Sequence, residues 1–411
     1  MRDGTTDVGD RLRALRRRRG LSQERLAEAA GLSLGVVKKI ERGGSARMET
    51  YHALARALGV ETVWFVSPAS PRPVEGVHDE AILADMRAAI IPPVALSGRP
   101  LYGTADDDSP DLARLRLTIA SVATAYHADR YDDLAELIPS LVRSAHHHVD
   151  VYDDPGHERE QALRLRADIT QLAGRYLIQV RCHDLALMAL HQSLRDALAV
   201  GDMPLAAAAV SSQAWAMMRQ GRFGEVERLC ADTSDEIEPR LSRATARDLF
   251  GWGKLLTRAA AAAARNNRFT EARDYQRMAT AAGNALGRQH KDMPGHQAFG
   301  PVNVAMMGTE VELLGGQPDR ALAIAASIAR SADDVNNTTL NRHRLDLASA
   351  HLRTGNSDEA TEILTGLRRD HGEWLQYQQY GRDVTRALLA TRARTLTTEL
   401  RDLAEFMNVE D

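Results

Sequence analysis

Cysteine is almost absent: Cys182 and Cys230 are the only two, far apart and in no metal-ligand spacing. They build no disulfide framework and suggest no zinc, which fits a reducing cytoplasm. Aromatic residues make up only 5% of the chain and Ile and Val are sparse, so there is little material for strands and no sheet is expected. The first ten residues lack an apolar signal core, and the longest alanine-rich run, residues 259–264, is far too short to span a membrane. Catalytic signatures are missing as well: no P-loop, dinucleotide fingerprint or H-E-x-x-H occurs, so no enzyme and no cofactor is nominated.

What is present is Ala, Leu, Arg and Glu, the makings of an all-α chain, and at 411 residues two or more folding units are expected. The formal net charge of −4 hides a split. Residues 1–65 hold 13 Lys/Arg against 8 Asp/Glu, a surplus of +5, which leaves −4 − 5 = −9 for the remainder. A basic head on an acidic body concentrates attraction for phosphate at one end.

The head reads as short helices separated by turn signals. Helix 1 runs from about residue 8 to 18, with Val8, Leu12 and Leu15 inward and Arg11, Arg13 and Arg16 to Arg19 on the remaining surface, until Gly20 stops it. Ser22 is a natural N-cap for helix 2, whose Leu26, Ala27 and Ala30 face the core, and Gly31 supplies the positive φ of a tight turn. Ser33 is expected to cap helix 3, with Val37 and Ile40 inward and Leu34, Gly35, Lys38 and Lys39 outward.

The stretch Leu21-Ser22-Gln23-Glu24-Arg25-Leu26-Ala27-Glu28-Ala29-Ala30-Gly31-Leu32-Ser33, with Ile40-Glu41-Arg42-Gly43 after it, resembles the Cro/C1-type (XRE) helix-turn-helix. Residues 54–60 look like that family's closing helix, so the resemblance covers residues 8–65. It implies a lambda-repressor-like bundle that lays helix 3 in the major groove of double-stranded DNA. By position, Gln23, Ser33 and Arg42 become phosphate contacts, and Lys38 and Lys39 the groove-facing cations. The sequence departs from the family at Leu34 and Gly35, where many relatives carry base-reading polar side chains. Leu34 can meet a thymine methyl, and DNA shape can carry specificity.

Residues 67–73, rich in Pro and Ser, read as a stiff linker; a helix over 79–90 and a polar loop over 103–110 follow. The expected organisation is a head over 1–66, a linker with a connecting helix over 67–110, and a repeat body over 111–411. In the body, six short polar turns align on Leu134, Leu185, Val226, Ala272, Ala321 and Ala360. Twelve residues before these lie Val122, Ala173, Ala214, Ala260, Thr309 and Ala348, mostly small residues that let paired helices approach. The turns around Gly221 and Gly355 resemble tetratricopeptide (TPR) repeats, which implies helical hairpins stacked into an α-α superhelix with a concave ligand-binding wall. On that template the residues eighteen or eleven before the aligned positions face inward, making Arg116, Trp215, Lys254, Asn303, Glu310 and Arg342 candidate effector contacts.

His146-His147-His148 invites a metal reading, but consecutive helical residues diverge, and a histidine at a helix C-terminus is the plainer account. The sequence thus points to a DNA-binding transcriptional regulator, dimeric on an imperfect palindrome. Its resemblance to bacterial regulators that join such a head to TPR-like repeats implies a signalling peptide or other effector for the body. The alternative is a DNA-tethered adaptor whose repeats bind a protein partner without any small effector.

Overall fold

The computed structural model describes residues 8–44, 46, 48–58, 80–96, 100–101, 110–293, 297–328, 337–392 and 397–409. The 67–73 linker and all of the 103–110 loop except Pro110 lie outside them. Among the described residues of the head are four helices: α1 (Val8–Arg18), α2 (Gln23–Ala30), α3 (Leu34–Glu41) and α4 (Met48–Leu58). Leu12, Leu26, Val37, Ile40 and Leu54 fill its core at 0–1% exposure. Ser22 Oγ accepts the Arg25 N–H at 3.1 Å, and Gly31 ends α2 at φ 65° with its N–H bonded back to Ala27 and Glu28. The alternation of cap, apolar face and left-handed glycine seen in the sequence is what sets the angle between α2 and α3.

The connecting helix α5 (Glu80–Ile90) buries Met86 and Ala89 against the body. The body is a run of helix pairs: α6 (Leu112–His127) with α7 (Tyr131–Val151), α8 (His157–Gln179) with α9 (His183–Ala199), α10 (Met203–Arg219) with α11 (Phe223–Glu236), and α12 (Ala246–Arg265) with α13 (Phe269–Leu286). Three more follow: α14 (Pro301–Leu314) with α15 (Pro318–Ile328), α16 (Asn337–Arg353) with α17 (Ser357–Gln376), and α18 (Gln379–Arg392) with α19 (Thr398–Phe406). The first helix of each pair packs on the first helix of the next, so α6, α8, α10, α12, α14, α16 and α18 build one continuous wall.

Each of the six turns aligned in the sequence contains a residue in the left-handed region: Asp129, Arg181, Gly221, Asn267, Gly316 and Gly355, with φ between 60° and 86°. These residues also correct the alignment. Five of them stand five positions before the aligned residue, but Arg181 stands only four before Leu185, so the true equivalent in the second pair is Ala186. The small residue twelve before it is then Gly174, where a Cβ would stand 2.5 Å from Leu190 Cγ, rather than Ala173.

The expectation of no sheet fails locally. Between α13 and α14 the strands β1 (His290–Met293) and β2 (Gln297–Phe299) form an antiparallel hairpin. Its anchor is Phe299, fully buried against Phe250 at 6.2 Å between ring centroids. Gly253 makes the seat, since a Cβ there would collide with the Phe299 ring. One aromatic in a cleft between helices needs no strand-rich composition, which is why composition missed it.

The two ends of the stack meet. Glu373 on α17 accepts the backbone N–H groups of Tyr131 and Asp132 at 2.6 and 3.1 Å, and Asp129 Oδ2 lies 2.9 Å from His371 Nδ1 and 3.4 Å from the Asn341 amide. Gln378 donates to Gln179 at 3.3 Å, and Tyr131 and Tyr377 stack edge to face at 5.8 Å. A single apolar core therefore runs from α5 to α9 and continues through α16 to α19.

Candidate DNA-binding face and inner groove

In the head, α1, α2 and α3 are tied by one carboxylate. Glu41, 3% exposed, accepts from Arg16 at 2.6 and 3.0 Å and from Gln23 Nε2 at 2.6 Å. Burial raises the Glu41 carboxyl, but these donors outweigh it and hold the group below its usual range. Two sequence assignments change here. Arg16 is an internal clamp rather than a solvating cation, and the Gln23 amide nitrogen is committed to Glu41 rather than turned to a phosphate. The helical spacing of Glu41 from Val37 and Ile40 was the available signal, since it shares their inward side.

The remaining candidates lie along α3 and its ends. Ser33, Gly35, Lys39 and Arg42 are exposed, while Leu34 and Lys38 are half-buried. Ser33 occupies the N-cap position in extended conformation, yet its hydroxyl makes no capping bond, contrary to the capping role expected of it. Gly35 meets only the Ser33 hydroxyl at 3.9 Å from where a Cβ would be, leaving the middle of the face low. Lys38 lies close enough to Glu24 to help hold that carboxyl down, behind a backbone bond and the Ser22 hydroxyl. The result is a shallow face with cations at its far end, suited to close approach of a polyanion.

In the body, five of the six inner-wall candidates are engaged or internal, and one is not. Arg116 is exposed on α6, with no interaction linking it to the others. Asn303 is 4% exposed, and its side-chain oxygen accepts from Gln289 rather than facing an extended ligand. Glu310, 5% exposed, accepts from Arg265 and, at 2.8 Å, from Arg342. Burial raises its carboxyl, but the two guanidinium groups bring it down to about 2. Arg342 also reaches Asp346 at 3.4 Å and stacks on Tyr380 at 4.3 Å. Burial, with Glu310 adding to it, lifts Asp346 to about 7 against the pull of Arg342.

Trp215 and Lys254 belong to a different surrounding. Trp215 lies between Arg219 and Arg258, 5.9 and 5.7 Å from their guanidinium carbons. Arg219 donates to the neutral Gln378 side chain at 3.2 Å. Lys254 has Arg258 and Arg175 as its charged neighbours, and burial followed by their repulsion lowers its ammonium to about 7. Burial likewise lowers Arg219 to about 9 and Arg258 to about 10, a measure of how poorly their charge is solvated, since a guanidinium stays protonated in either case.

Sequence reading missed Arg175, Arg219, Arg258, Arg265 and Asp346. Arg175 was lost through the one-residue slip, because eleven before Ala186 is Arg175. The others follow from extending the inward face by helical steps: fourteen before the aligned residues stand Arg258 and Asp346, and seven before stand Arg219 and Arg265.

The His triplet is structural. His146 is buried with Arg166 3.2 Å from its Nδ1, and burial lowers it to about 3. His148 Nε2 accepts the Asp111 N–H at 3.0 Å. Among the described residues no three His, Cys, Asp or Glu side chains gather as metal ligands, and no helix is long and apolar enough to cross a membrane.

Head and body touch through α4. His52 meets the Phe223 ring edge to face at 4.5 Å, and Arg56 donates to the Asn266 carbonyl at 2.8 Å, at the C-terminus of the helix that carries Lys254, Arg258 and Arg265. Burial, then Arg265 and Arg56, lowers His52 to about 3.

A family model described as Helix-turn-helix matches residues 12–65. No curated protein matches the chain significantly. Among solved structures, PlcR of Bacillus thuringiensis in complex with the peptide PapR7 and DNA aligns over 91% of this chain and 99% of its own, at 11% identity and a TM-score of 0.33, too low for any argument to rest on it.

Proposed function

From a chain whose residues 12–65 form a domain of the helix-turn-helix family, we propose a sequence-specific transcriptional regulator whose helical body binds an effector and thereby adjusts operator affinity. The observation that carries the DNA-binding half is the exposed face of α3, with Ser33, Gly35, Lys39 and Arg42 open and Lys38 beside them. Leu34 supplies an apolar contact for a thymine methyl, and the low relief at Gly35 favours reading by DNA shape. A single head makes few base contacts, so two chains on an imperfect palindrome, about 34 Å between half-sites, are part of this reading.

The body half rests on the inner wall. Its charged and aromatic side chains face the interior of the stack, and α12 joins them directly to the head through Asn266 and Arg56. An effector that draws on Arg258 or Arg265 acts on the same helix that holds α4. Differential affinity for two positions of that helix is all the coupling requires. Residues 1–66 act as the DNA-binding unit, 67–110 as the connection and 111–411 as sensor and dimerisation body, in the cytoplasm.

The test is operator binding by the full chain to DNA from upstream of its own coding region, with and without cell extract. Replacing Lys38 and Lys39 by Ala is expected to weaken binding at least tenfold and flatten its salt dependence; unchanged affinity sinks the placement of α3 in the groove. Extract is expected to shift the affinity of the wild type and not of Trp215→Ala. A shift that survives Trp215→Ala turns the reading toward an adaptor that docks its partner elsewhere.

A further inference from the structure

Part of the inner wall carries positive charge without an ion-pair partner among the described residues; Glu310, held by Arg265 and Arg342, is the carboxylate that acts on it, through Arg258 and without a bond. The Lys254 side chain has no hydrogen bond or ion pair among the described residues, and the charged groups that act on it are the guanidinium groups of Arg258, one turn away on α12, and Arg175 on α8. Among the described residues Arg258 Nε is buried without an acceptor, and the Arg219 guanidinium on α10 meets Trp215 and the neutral Gln378. On α8, one turn before Arg175, Gln171 keeps both amide atoms buried and unpartnered. These groups come from three successive first helices of the stack, and Gln378, just beyond the sixth pair, bonds to both Arg219 and Gln179.

Three explanations compete for such a cluster. A general basic surface is excluded, because residues 66–411 carry a net −9. Internal pairing accounts for the neighbouring wall, where Glu310 and Asp346 answer Arg265 and Arg342, but among the described residues no ion pair engages Lys254, Arg258 or Arg219. What remains is charge held for something from outside. Arginine does not shed its proton, so Arg258 and Arg219 cannot neutralise themselves as a lysine can.

We propose that Lys254, Arg258 and Arg219, arranged around Trp215, form a binding site for an anionic group, so that the effector carries clustered carboxylate or phosphate oxygens. This rests on the reading of the inner wall as the effector site. The planar guanidinium of Arg258 offers its donors to two oxygens at once, the ammonium of Lys254 adds a point charge, and the indole face supplies a flat apolar wall beside them. Trp215, Arg219, Lys254 and Arg258 are half-buried, so an anion held among them gains more from these cations than the same anion would at an open surface.

The experiment is thermal unfolding of the full chain at constant ionic strength, titrated with inorganic pyrophosphate, with a pentapeptide of Asp and Glu, or with the matching Asn and Gln pentapeptide. Pyrophosphate, the acidic peptide or both are expected to raise Tm saturably, as ligands of the folded state do, while the amide peptide does not. The shift is expected to vanish in Lys254→Met and Arg258→Met and to persist in Arg116→Met. Those two variants are expected to melt no lower than the wild type without ligand, so that loss of the shift is not loss of the fold. A response to pyrophosphate alone assigns a phosphate-bearing effector, and one to the acidic peptide alone a carboxylate-bearing one. A shift lost instead in Lys39→Ala places the anion on the head and overturns the proposal. An amide peptide that binds as well, and loses binding in Trp215→Ala, keeps the wall as the effector site and overturns only its assignment to anions. No shift with any of the three overturns the anion site, while an extract response lost in Trp215→Ala would still leave the effector reading standing.

Discussion

Around Glu310 the inner wall answers its cations: two carboxyl groups, Glu310 and Asp346, face two guanidinium groups, Arg265 and Arg342, with Tyr380 closing over them. Around Lys254, farther toward the start of α12, the wall holds the same kinds of cation without a carboxylate bonded to them among the described residues, Glu310 acting on Arg258 without a bond. The two regions share one helix and one architecture, so the difference lies in which side chains the neighbouring helices contribute. Burial makes any unanswered charge unfavourable, and the balanced region shows that this fold supplies partners where structure alone is at stake. Leaving Lys254, Arg258 and Arg219 without them sets stability against readiness to bind.

The comparison breaks most sharply at Glu310. Replacing it by Ala leaves Arg265 and Arg342 buried and facing each other, making the balanced region resemble the unbalanced one. A loss of about 3–5 kcal/mol is expected, the range for removing one partner of a buried pair, read as a shift in the denaturant midpoint. A loss below about 1 kcal/mol shows that the region is wetter than its burial indicates and that the contrast does not hold.

Lys254→Met tests the other side, with the opposite sign. The folded-state Lys254 titrates near 7, below the ~10.4 of an unfolded lysine, so the unfolded chain binds more protons between those values. The wild-type penalty is complete below pH 7 and is relieved as pH rises toward ~10.4. Arg258 on its own helix and Arg175 on α8 are the charges that face it. At pH 6 the variant is expected to be more stable than the wild type by about 2 kcal/mol, a difference that shrinks to zero near pH 10. A pH-independent difference assigns the effect to packing instead.

Sequence made the balanced and unbalanced regions only half legible. Gly31, Ser22 and the left-handed turn residues are local signals, and the helix pairs follow from them almost completely. The inner wall depends on register, and there one residue matters: with Leu185 in place of Ala186, Arg175 falls off the inward face and the cluster loses its third helix. Asn303 was legible as an inward residue, but its engagement by Gln289 depends on the β1–β2 hairpin, which hangs on the single ring of Phe299. Least legible is the meeting of the ends. Asp129 and His371 are 242 positions apart, and no periodicity links a turn of the first pair to a helix of the sixth. Arg116, placed inward by the same repeat logic, stays exposed on α6, at the end of the stack.

The smallest effect expected concerns how either region reaches the head. Arg56 is largely exposed, and its bond to the Asn266 carbonyl is worth about 1 kcal/mol at most in stability, so Arg56→Ala is expected to fold and melt nearly as the wild type does. Its consequence lies in coupling. Arg265, which answers Glu310, precedes Asn266 directly, whereas Lys254 sits three turns back along α12. If α12 moves as a rigid rod, a ligand at Lys254 and a change at Glu310 both reach Arg56 through the same carbonyl. Arg56→Ala is then expected to reduce the effect of extract on operator affinity several-fold while leaving affinity without extract unchanged. Operator titrations of Arg56→Ala with and without extract separate the cases. An unchanged extract effect moves the coupling to the Phe223 and His52 contact on α11, and with it away from the helix that carries both regions of the wall.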